Sequence, residues 1–233
     1  TIPKRIWEIV AMKWGFIVIA AFATLISCSN SSEFETGEIK AVKMLRETLI
    51  ARNAPTMLLD TRKVITRKKI DDAKIPVLFV ELENGQNGTL TLYPGEGVGE
   101  TWLGADGATI TLQSGRIKAT RGMRNDVMGS TSSMPLWPDI NDTSEYTRQI
   151  SYLGGNNKIY PKAFSCTMKK QNKQSTITIF DVPFGTQEFL EVCINNSEKL
   201  ENSYFVDEKN VVRWSKQYHG PALGYLTIER LDQ

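Results

Sequence analysis

Apolar and polar residues alternate in short runs through most of the chain after Ile75, and glycine-containing turns separate these runs. Alternation with a period of two is typical of a strand that buries one of its faces. In turns such as Asn84-Gly85, Asp106-Gly107 and Ser114-Gly115, the glycine supplies the positive φ that tight hairpins need. The alternation predicts strands at Val77–Leu82, Thr89–Tyr93, Thr101–Leu103, Thr109–Leu112, Arg116–Thr120, Thr147–Leu153, Ala163–Lys169, Ser175–Phe180, Glu188–Asn195, Ser203–Val206, Val211–Tyr218 and Gly224–Leu231.

These strands follow one another without a long helical segment between them, which favours an antiparallel sheet closed as a barrel or a sandwich. Upstream, Gly37–Ala54 has apolar residues at three- and four-residue spacing, which predicts an α-helix that ends at Pro55. A turn of helix capped by Thr66 is predicted over residues 67–73, and the stretch Gly122–Asp142 is predicted to be irregular. The expected fold class is therefore mainly β, an antiparallel β-barrel or sandwich-like domain with an N-terminal α-helix.

An apolar run near the N-terminus has the layout of a secretory signal. Met12-Lys13 begins a short charged region, Phe16–Ile26 is apolar except for one threonine, and the small residue Ser27 precedes Cys28. The run is shorter than the ~20 apolar residues of a permanent membrane helix. We therefore expect residues 1–27 to be a signal peptide, with Met12 as the true start.

The end of this signal resembles a lipobox, the motif that the lipoprotein signal peptidase cleaves before a lipid-modified cysteine. Leu25-Ile26-Ser27-Cys28 predicts cleavage between Ser27 and Cys28 and lipid attachment to the Cys28 thiol, which makes the membrane a partner. Two or three acyl chains anchor a protein stably, since each buried methylene contributes about 0.8 kcal/mol. Ser29 stands where lipoproteins of the inner membrane commonly carry aspartate, so the outer membrane is the expected location. The alternative is an ordinary anchor or cleaved signal with a chance cysteine.

The charge of the mature chain argues against nucleic acid as a partner. Residues 1–27 contain three of the 28 basic and one of the 26 acidic side chains, so 25 of each remain after cleavage. A chain with no net charge has no basic field that attracts phosphate backbones. Residues 28–36 are predicted to be a lipidated polar tether, and residues 37–233 are long enough for one domain with its own core.

Two further cysteines remain once Cys28 carries lipid. In an oxidising compartment, Cys166 and Cys193 are a candidate disulfide. Such a bond would close a 27-residue loop, a closure that contributes about 3–4 kcal/mol in the chain-entropy interpretation. Two buried free thiols are the alternative, because only geometry decides between them.

The sequence carries no recognisable catalytic motif. His219 is the only histidine, and beside Tyr218 it is predicted to be structural or exposed rather than part of a Ser-His-Asp triad. G-x-S-x-G, H-E-x-x-H and C-x-x-C motifs do not occur. We therefore predict no enzymatic activity, no cofactor and no metal site, although the two carboxylates of a glycosidase have no sequence signature.

Three tryptophans of the predicted domain are candidate glycan contacts: Trp102, Trp137 and Trp214. Sugars stack on indole faces, although aromatic residues in β-rich domains belong more often to the core. A polysaccharide-binding module is therefore one functional hypothesis.

Several short segments follow one another in a characteristic order along the domain. They are Ile75–Leu82, Thr101-Trp102, Asp106–Thr109, Gly115–Gly122, Asn125–Gly129, Tyr204–Asp207 and Val212–Tyr218. In this order, and with the lipobox before them, they resemble the YjbF/GfcB family of group 4 capsule polysaccharide lipoproteins.

The resemblance implies a non-enzymatic outer-membrane lipoprotein whose β-barrel-like domain faces the periplasm. It also implies partners that assemble or export exopolysaccharide or capsule, including an outer-membrane barrel and a periplasmic β-grasp protein. It supplies no catalytic residue. The leading hypothesis is an accessory or scaffold protein in export, and the alternatives are a polysaccharide-binding module and an envelope glycosidase.

Overall fold

The computed structural model describes residues 60–95, 97–140 and 142–233. Within these ranges the chain forms two short α-helices, one turn of 3-10 helix at Trp137–Asp139, and twelve strands. The elements are α1 Thr61–Val64, α2 Arg67–Ala73, β1 Val77–Leu82, β2 Asn87–Tyr93, β3 Glu100–Gly104, β4 Thr109–Gln113, β5 Arg116–Arg121, β6 Val127–Ser132, β7 Thr143–Leu153, β8 Ile159–Ile179, β9 Val182–Ile194, β10 Lys199–Asp207, β11 Val212–Gly220 and β12 Gly224–Arg230. None of the helices in these ranges has the length and apolar character that a membrane crossing requires.

All the strands belong to one antiparallel sheet. Its order is β5-β4-β3-β2-β1-β12-β11-β10-β9-β8-β7-β6, so two meanders are joined where β1 pairs with β12. The two edges of the sheet are β5 and β6, which are consecutive in the chain. The sheet curls until these edges meet, and the Val127 backbone N–H donates to Thr120 Oγ1 across the gap at 2.9 Å. The described chain is a nearly closed antiparallel barrel, which confirms the mainly-β prediction.

Apolar side chains fill the inside of the barrel and also cover part of its outside. The inner core includes Trp102, Ile110 and Leu226, none of which is exposed to solvent. A second cluster contains Ile70 of α2 together with Phe79 of β1. Residues of β1 alternate between the inner core and this second cluster, so the strand is buried on both faces.

Several sequence predictions hold in detail. The strand β1 has the predicted bounds. Thr66 caps α2, because its hydroxyl accepts a hydrogen bond from Lys69 N at 3.4 Å. The Ser114-Gly115 turn has positive φ at both residues, 49° and 76°, as a tight hairpin requires.

Two predictions about strands are wrong. Ala163–Lys169 and Ser175–Phe180 are parts of one strand, β8, whose register against β9 shifts between Lys170 and Gln174. A bulge of this kind breaks the alternation that sequence patterns depend on. The stretch Gly122–Asp142 contains β6, whose sequence VMGSTS has few apolar residues because most of the strand is only partly buried or exposed.

The predicted helix at Gly37–Ala54 and the tether at residues 28–36 lie outside the described residues. The same holds for the signal at residues 1–27, which includes Ser27, and for the lipid-attachment residue Cys28.

Candidate functional site

The line along which β5 and β6 face each other is here called the seam, and its two ends differ. The closed end lies beside the connection at residues 122–126, where side chains bridge the two strands. The open end lies at the start of β5 and the finish of β6, where a cavity separates the strands.

At the closed end, the Thr120 hydroxyl is the centre of a buried network. It donates to Asp126 Oδ1 at 3.0 Å, accepts from the Val127 backbone N–H, and lies 3.0 Å from His219 Nε2. Because its single hydrogen goes to the carboxylate, the His219 Nε2–H is the donor in the third contact. The guanidinium of Arg121 also crosses the seam, since its Nη1 donates to the Thr120 and Val127 carbonyls.

The imidazole at the closed end is held neutral. Burial lowers the pKa of His219, and the nearby Asp126 carboxylate offsets this only in part. Among the described residues, His219 Nδ1 is buried and has no hydrogen-bond partner, so a second N–H there would be unpaired. The predicted structural role for His219 fits this geometry, in which the carboxylate binds the threonine rather than the imidazole.

At the open end, the Glu191 carboxylate on β9 is the centre of a buried charged network. It accepts from Arg148 Nη1 at 3.0 and 3.2 Å, from Asn202 Nδ2 at 2.5 Å and from the Tyr204 hydroxyl at 2.8 Å. The Tyr146 hydroxyl donates to it as well. The side chains of Arg148 and Glu191 are only 5% and 1% exposed.

The pKa values in this network favour the ionised pair. Burial alone would raise the pKa of Glu191, but the charge of Arg148 and the hydrogen bonds from its donors outweigh burial and lower it. Burial would lower the pKa of Arg148, but the carboxylate raises it. Burial, together with the Glu191 charge, raises the pKa of the Tyr204 hydroxyl. The carboxylate is therefore a permanent anion at neutral pH.

The tight turn before β5 positions a second arginine at the open end. Gln217 Nε2 donates to the Gly115 carbonyl at 2.8 Å, and Gln217 Oε1 accepts from Ile117 N at 2.9 Å. A Cβ on Gly115 would come within 2.3 Å of Val212 Cγ2. These contacts fix the backbone on both sides of Arg116.

The Arg116 guanidinium lies against aromatic rings rather than against a carboxylate. Its Cζ is 3.6 Å from the centre of the Trp137 ring, and Trp137 Nε1 donates to the Ser114 carbonyl at 2.9 Å. In the described part of the chain, Arg116 Nε and Nη2 are buried without a hydrogen-bond partner. Burial lowers the pKa of Arg116. Leaving these two buried donors unpaired is costly.

A cavity of about 280 Å³ opens between the strands at this end. Three of its lining side chains are cationic and one is anionic. The full lining is Gln113, Ser114, Arg116, Ile117, Lys118, Ser130, Thr131, Ser132, Met134, Leu136, Arg148 and Glu191. Because Glu191 is already paired with Arg148, the cavity has an excess of positive charge and fits an anion.

A larger groove of about 820 Å³ lies along β1 and β2. Two of its charged side chains have partners: Arg62 Nη2 is 2.6 Å from Glu229 Oε1, and Asp106 Oδ1 accepts from the Ala108 backbone N–H within its own turn. The charged lining has no excess of positive charge, since three acidic side chains face two basic ones: Asp60, Glu81, Asp106, Arg62 and Arg124.

Comparison with known proteins decides the family. A family model described as "Group 4 capsule polysaccharide lipoprotein gfcB, YjbF" matches residues 39–231. The chain belongs to the YjbF family. Membership confirms the resemblance found in the sequence and makes the chain a capsule polysaccharide-associated lipoprotein.

One solved structure with the same fold is the crystal structure of the hypothetical lipoprotein YmcC from Escherichia coli (K12). It has a TM-score of 0.62 and 18% sequence identity to this YjbF-family chain, over 78% of this chain and 98% of that chain. Similarity at this identity concerns the fold alone. Among curated proteins, no match was found.

The three candidate tryptophans, which lie in the described part of this YjbF-family chain, are mostly covered. Trp102 is 0% exposed and Trp137 is 4% exposed, with Arg116 on its ring and Phe189 beside it. Sugar stacking on either indole face is therefore incompatible with this structure. Trp214 is half-buried and packs edge-on against Phe205, and its glycan contact stays a prediction.

The two cysteines of the domain are joined. Cys166 of β8 and Cys193 of β9 face each other across the strand pair and form a disulfide, which selects one of the two alternatives that the sequence left open. Both sulfur atoms lie within 4.8 Å of a Glu191 carboxylate oxygen. Because the sulfurs are bonded to each other, they offer no thiolate to a metal.

Sequence reasoning missed the charged residues of the open end. Glu191 lies two residues from Phe189 and two from Cys193, and Arg148 lies two residues from Tyr146 and two from Ile150. A charge at the period-two position of a buried strand face was the available signal. Arg116 has no such signal, because its surroundings depend on the segment that carries Trp137.

Proposed function

We propose that this YjbF-family lipoprotein is a non-catalytic accessory or scaffold in the assembly and export of capsule or exopolysaccharide. It acts from a lipid anchor on Cys28, on the periplasmic face of the outer membrane. The match to the family over residues 39–231 carries the proposal, and the lipobox at Leu25–Cys28 supports the anchor.

The state of Glu191 supports a non-catalytic role. A glycosidase needs a carboxylic acid whose pKa is raised, so that it can protonate the leaving oxygen. The pKa of Glu191 is lowered, and its two oxygens accept hydrogen bonds from four side chains. A carboxylate held in this way stabilises the barrel and is a poor proton donor.

The partners proposed for this role are the membrane, an outer-membrane barrel and a periplasmic β-grasp protein of the export machinery. The absence of net charge after residue 27 supports a role among envelope proteins and polysaccharide rather than on nucleic acid.

Deletion of the gene tests the role in export. We expect the deletion strain to lose surface polysaccharide under inducing conditions and the wild-type gene to restore it. Cys28→Ala should leave an uncleaved precursor without lipid label and should fail to restore export, whereas Ser31→Ala in the tether should behave as wild type. Unchanged surface polysaccharide in the deletion strain would contradict the proposal.

Polymer length separates this role from an enzymatic one. The purified lipoprotein, incubated with the polysaccharide of its own cell, should leave the size distribution of the polymer unchanged in gel filtration. A shift toward shorter chains would favour a glycosidase instead if Glu191→Gln, shown by its melting curve to be folded, abolishes it.

A further inference from the structure

We infer that the open-end cavity binds one acidic sugar unit, with its carboxylate held by Arg116 and Arg148. The inference rests on the proposed function for the polysaccharide and on the cavity itself for the acidic group.

The charge of the cavity calls for an anion. Arg116, Lys118 and Arg148 line it against the single carboxylate of Glu191. Arg148 Nη1 donates to the Glu191 carboxylate, and Arg148 Nε donates to the Ser130 hydroxyl at 3.1 Å. Within the described residues, no carboxylate pairs with Arg116, whose Nε and Nη2 are buried, which leaves its Nη1 as the donor that a ligand can reach. Arg148 keeps Nη2, so a carboxylate can accept one charged hydrogen bond from each guanidinium.

The size and lining of the cavity indicate what carries the acidic group. Its volume of about 280 Å³ is near the lower end of ligand pockets, which span roughly 300–1,000 Å³, so it accommodates a group of about one sugar ring. Ser130, Thr131 and Ser132 of β6 are among the lining residues and give this wall a polar character that suits the hydroxyls of a sugar. Met134 and Leu136 add an apolar surface, and Leu136 is 60% exposed.

A ligand can reach the cavity without disrupting any strand pairing. It lies where β5 and β6, the two edges of the sheet, are not paired with each other. A ligand at this point replaces the strand neighbour that these edges lack and touches Arg116 of β5 and Ser130 of β6 at once.

A titration of the full-length lipidated protein in detergent micelles tests the inference, with glucuronate as the probe. The comparison probes are glucose, which lacks the carboxylate, acetate, which lacks the ring, and inorganic phosphate. We expect glucuronate to bind at least about tenfold more tightly than each of the three, since charged contacts with the two guanidinium groups and the ring contacts are both needed.

Variants of Arg116 locate the site. Arg116→Gln should weaken glucuronate binding by about tenfold or more, and Arg116→Lys should fall between it and wild type because it keeps the charge and loses the planar fork. Lys209→Gln removes the same charge from an exposed turn outside the cavity and should leave binding unchanged. A melting curve for each variant shows that it is folded.

Several outcomes would overturn the inference. These are no glucuronate binding by wild type, equal binding of glucose, acetate or phosphate, and unchanged glucuronate binding in a folded Arg116→Gln variant. The gene-deletion experiment measures surface polysaccharide on living cells and is independent of the titration. A deletion phenotype without glucuronate binding overturns this inference alone, and glucuronate binding without a deletion phenotype overturns the export role alone.

Discussion

At the closed end of the seam, a threonine hydroxyl joins Asp126, the neutral His219 and the backbone of Val127. At the open end, a carboxylate on Glu191 joins the charged Arg148 and three neutral donors. Both networks are buried, but only the first bridges β5 to β6 directly. At the closed end, hydrogen bonds join the two edges directly. At the open end, three cationic side chains line a cavity together with one carboxylate, so an anion would balance the charge.

The largest expected effect is at the open end. Glu191→Gln keeps the shape of the side chain and leaves the charge of Arg148 buried without a counter-charge, which should lower the free energy of unfolding by about 3–5 kcal/mol. Urea denaturation of the full-length protein measures it. The double variant Arg148→Met with Glu191→Gln should recover much of the loss, because it removes both charges and keeps an oxygen acceptor for the buried donors around Glu191. A loss below about 1 kcal/mol for Glu191→Gln would show that the pair is not isolated from water.

A smaller effect is expected at the closed end. Thr120→Val keeps the side-chain volume and removes the hydroxyl from the Val127 N–H, Asp126 and His219, which should cost about 2–3 kcal/mol. Thr120→Ser is the matched control, since it keeps the hydroxyl and loses one methyl group, at about 1 kcal/mol. Equal losses for the two variants would mean that the hydroxyl does not hold the seam.

The smallest effect is the pH dependence of the free energy of unfolding, which differs between the closed and the open end. Because the folded pKa of His219 is lowered, the unfolded chain binds the proton first, and stability should fall as the pH drops below the ordinary histidine value of 6.5. The effect of Glu191 falls in a more acidic range. Because its folded pKa is lowered, the stability it contributes is lost only as the pH falls below the ordinary value of 4.5.

Unfolding free energies between pH 7.5 and pH 5.5 check this difference. His219 is the only histidine, so His219→Gln should remove the slope in that window. A slope that persists in His219→Gln would assign it to another group.

The sequence predicted local structure well where a short apolar run is followed by a glycine turn. The bounds of β1, which is buried on both faces, and the positive φ at Ser114 and Gly115 follow from such patterns, which are local. The pairing of β1 with β12 brings together residues from distant parts of the chain, such as Leu78 and Arg230, and alternation carries no information about it. The seam depends likewise on side-chain contacts such as that of Thr120 with His219, which no periodicity encodes.

The site was predictable only in part. Glu191 and Arg148 occupy inward positions of strands that the sequence predicted, so a search for charges at buried positions finds them. For Trp102 and Trp137, the alternative to glycan contact was a place in the core. The structure buries both, at 0% and 4% exposure. The unpaired state of Arg116 arises from packing against Trp137, which only the folded chain defines.

The pairing of β1 with β12 also has a consequence for the order in which the barrel is made. A chain synthesised from its N-terminus can form the β1–β2 hairpin early, but the other edge of β1 has no partner until Gly224–Arg230 has been made. Until then the strand presents free backbone groups and apolar side chains on both faces, the features that promote association between chains. The joining of the two meanders is therefore a late, long-range step, and such steps are slow compared with hairpin formation. Until β12 has been made, the free edge of β1 can pair with a strand of another chain instead.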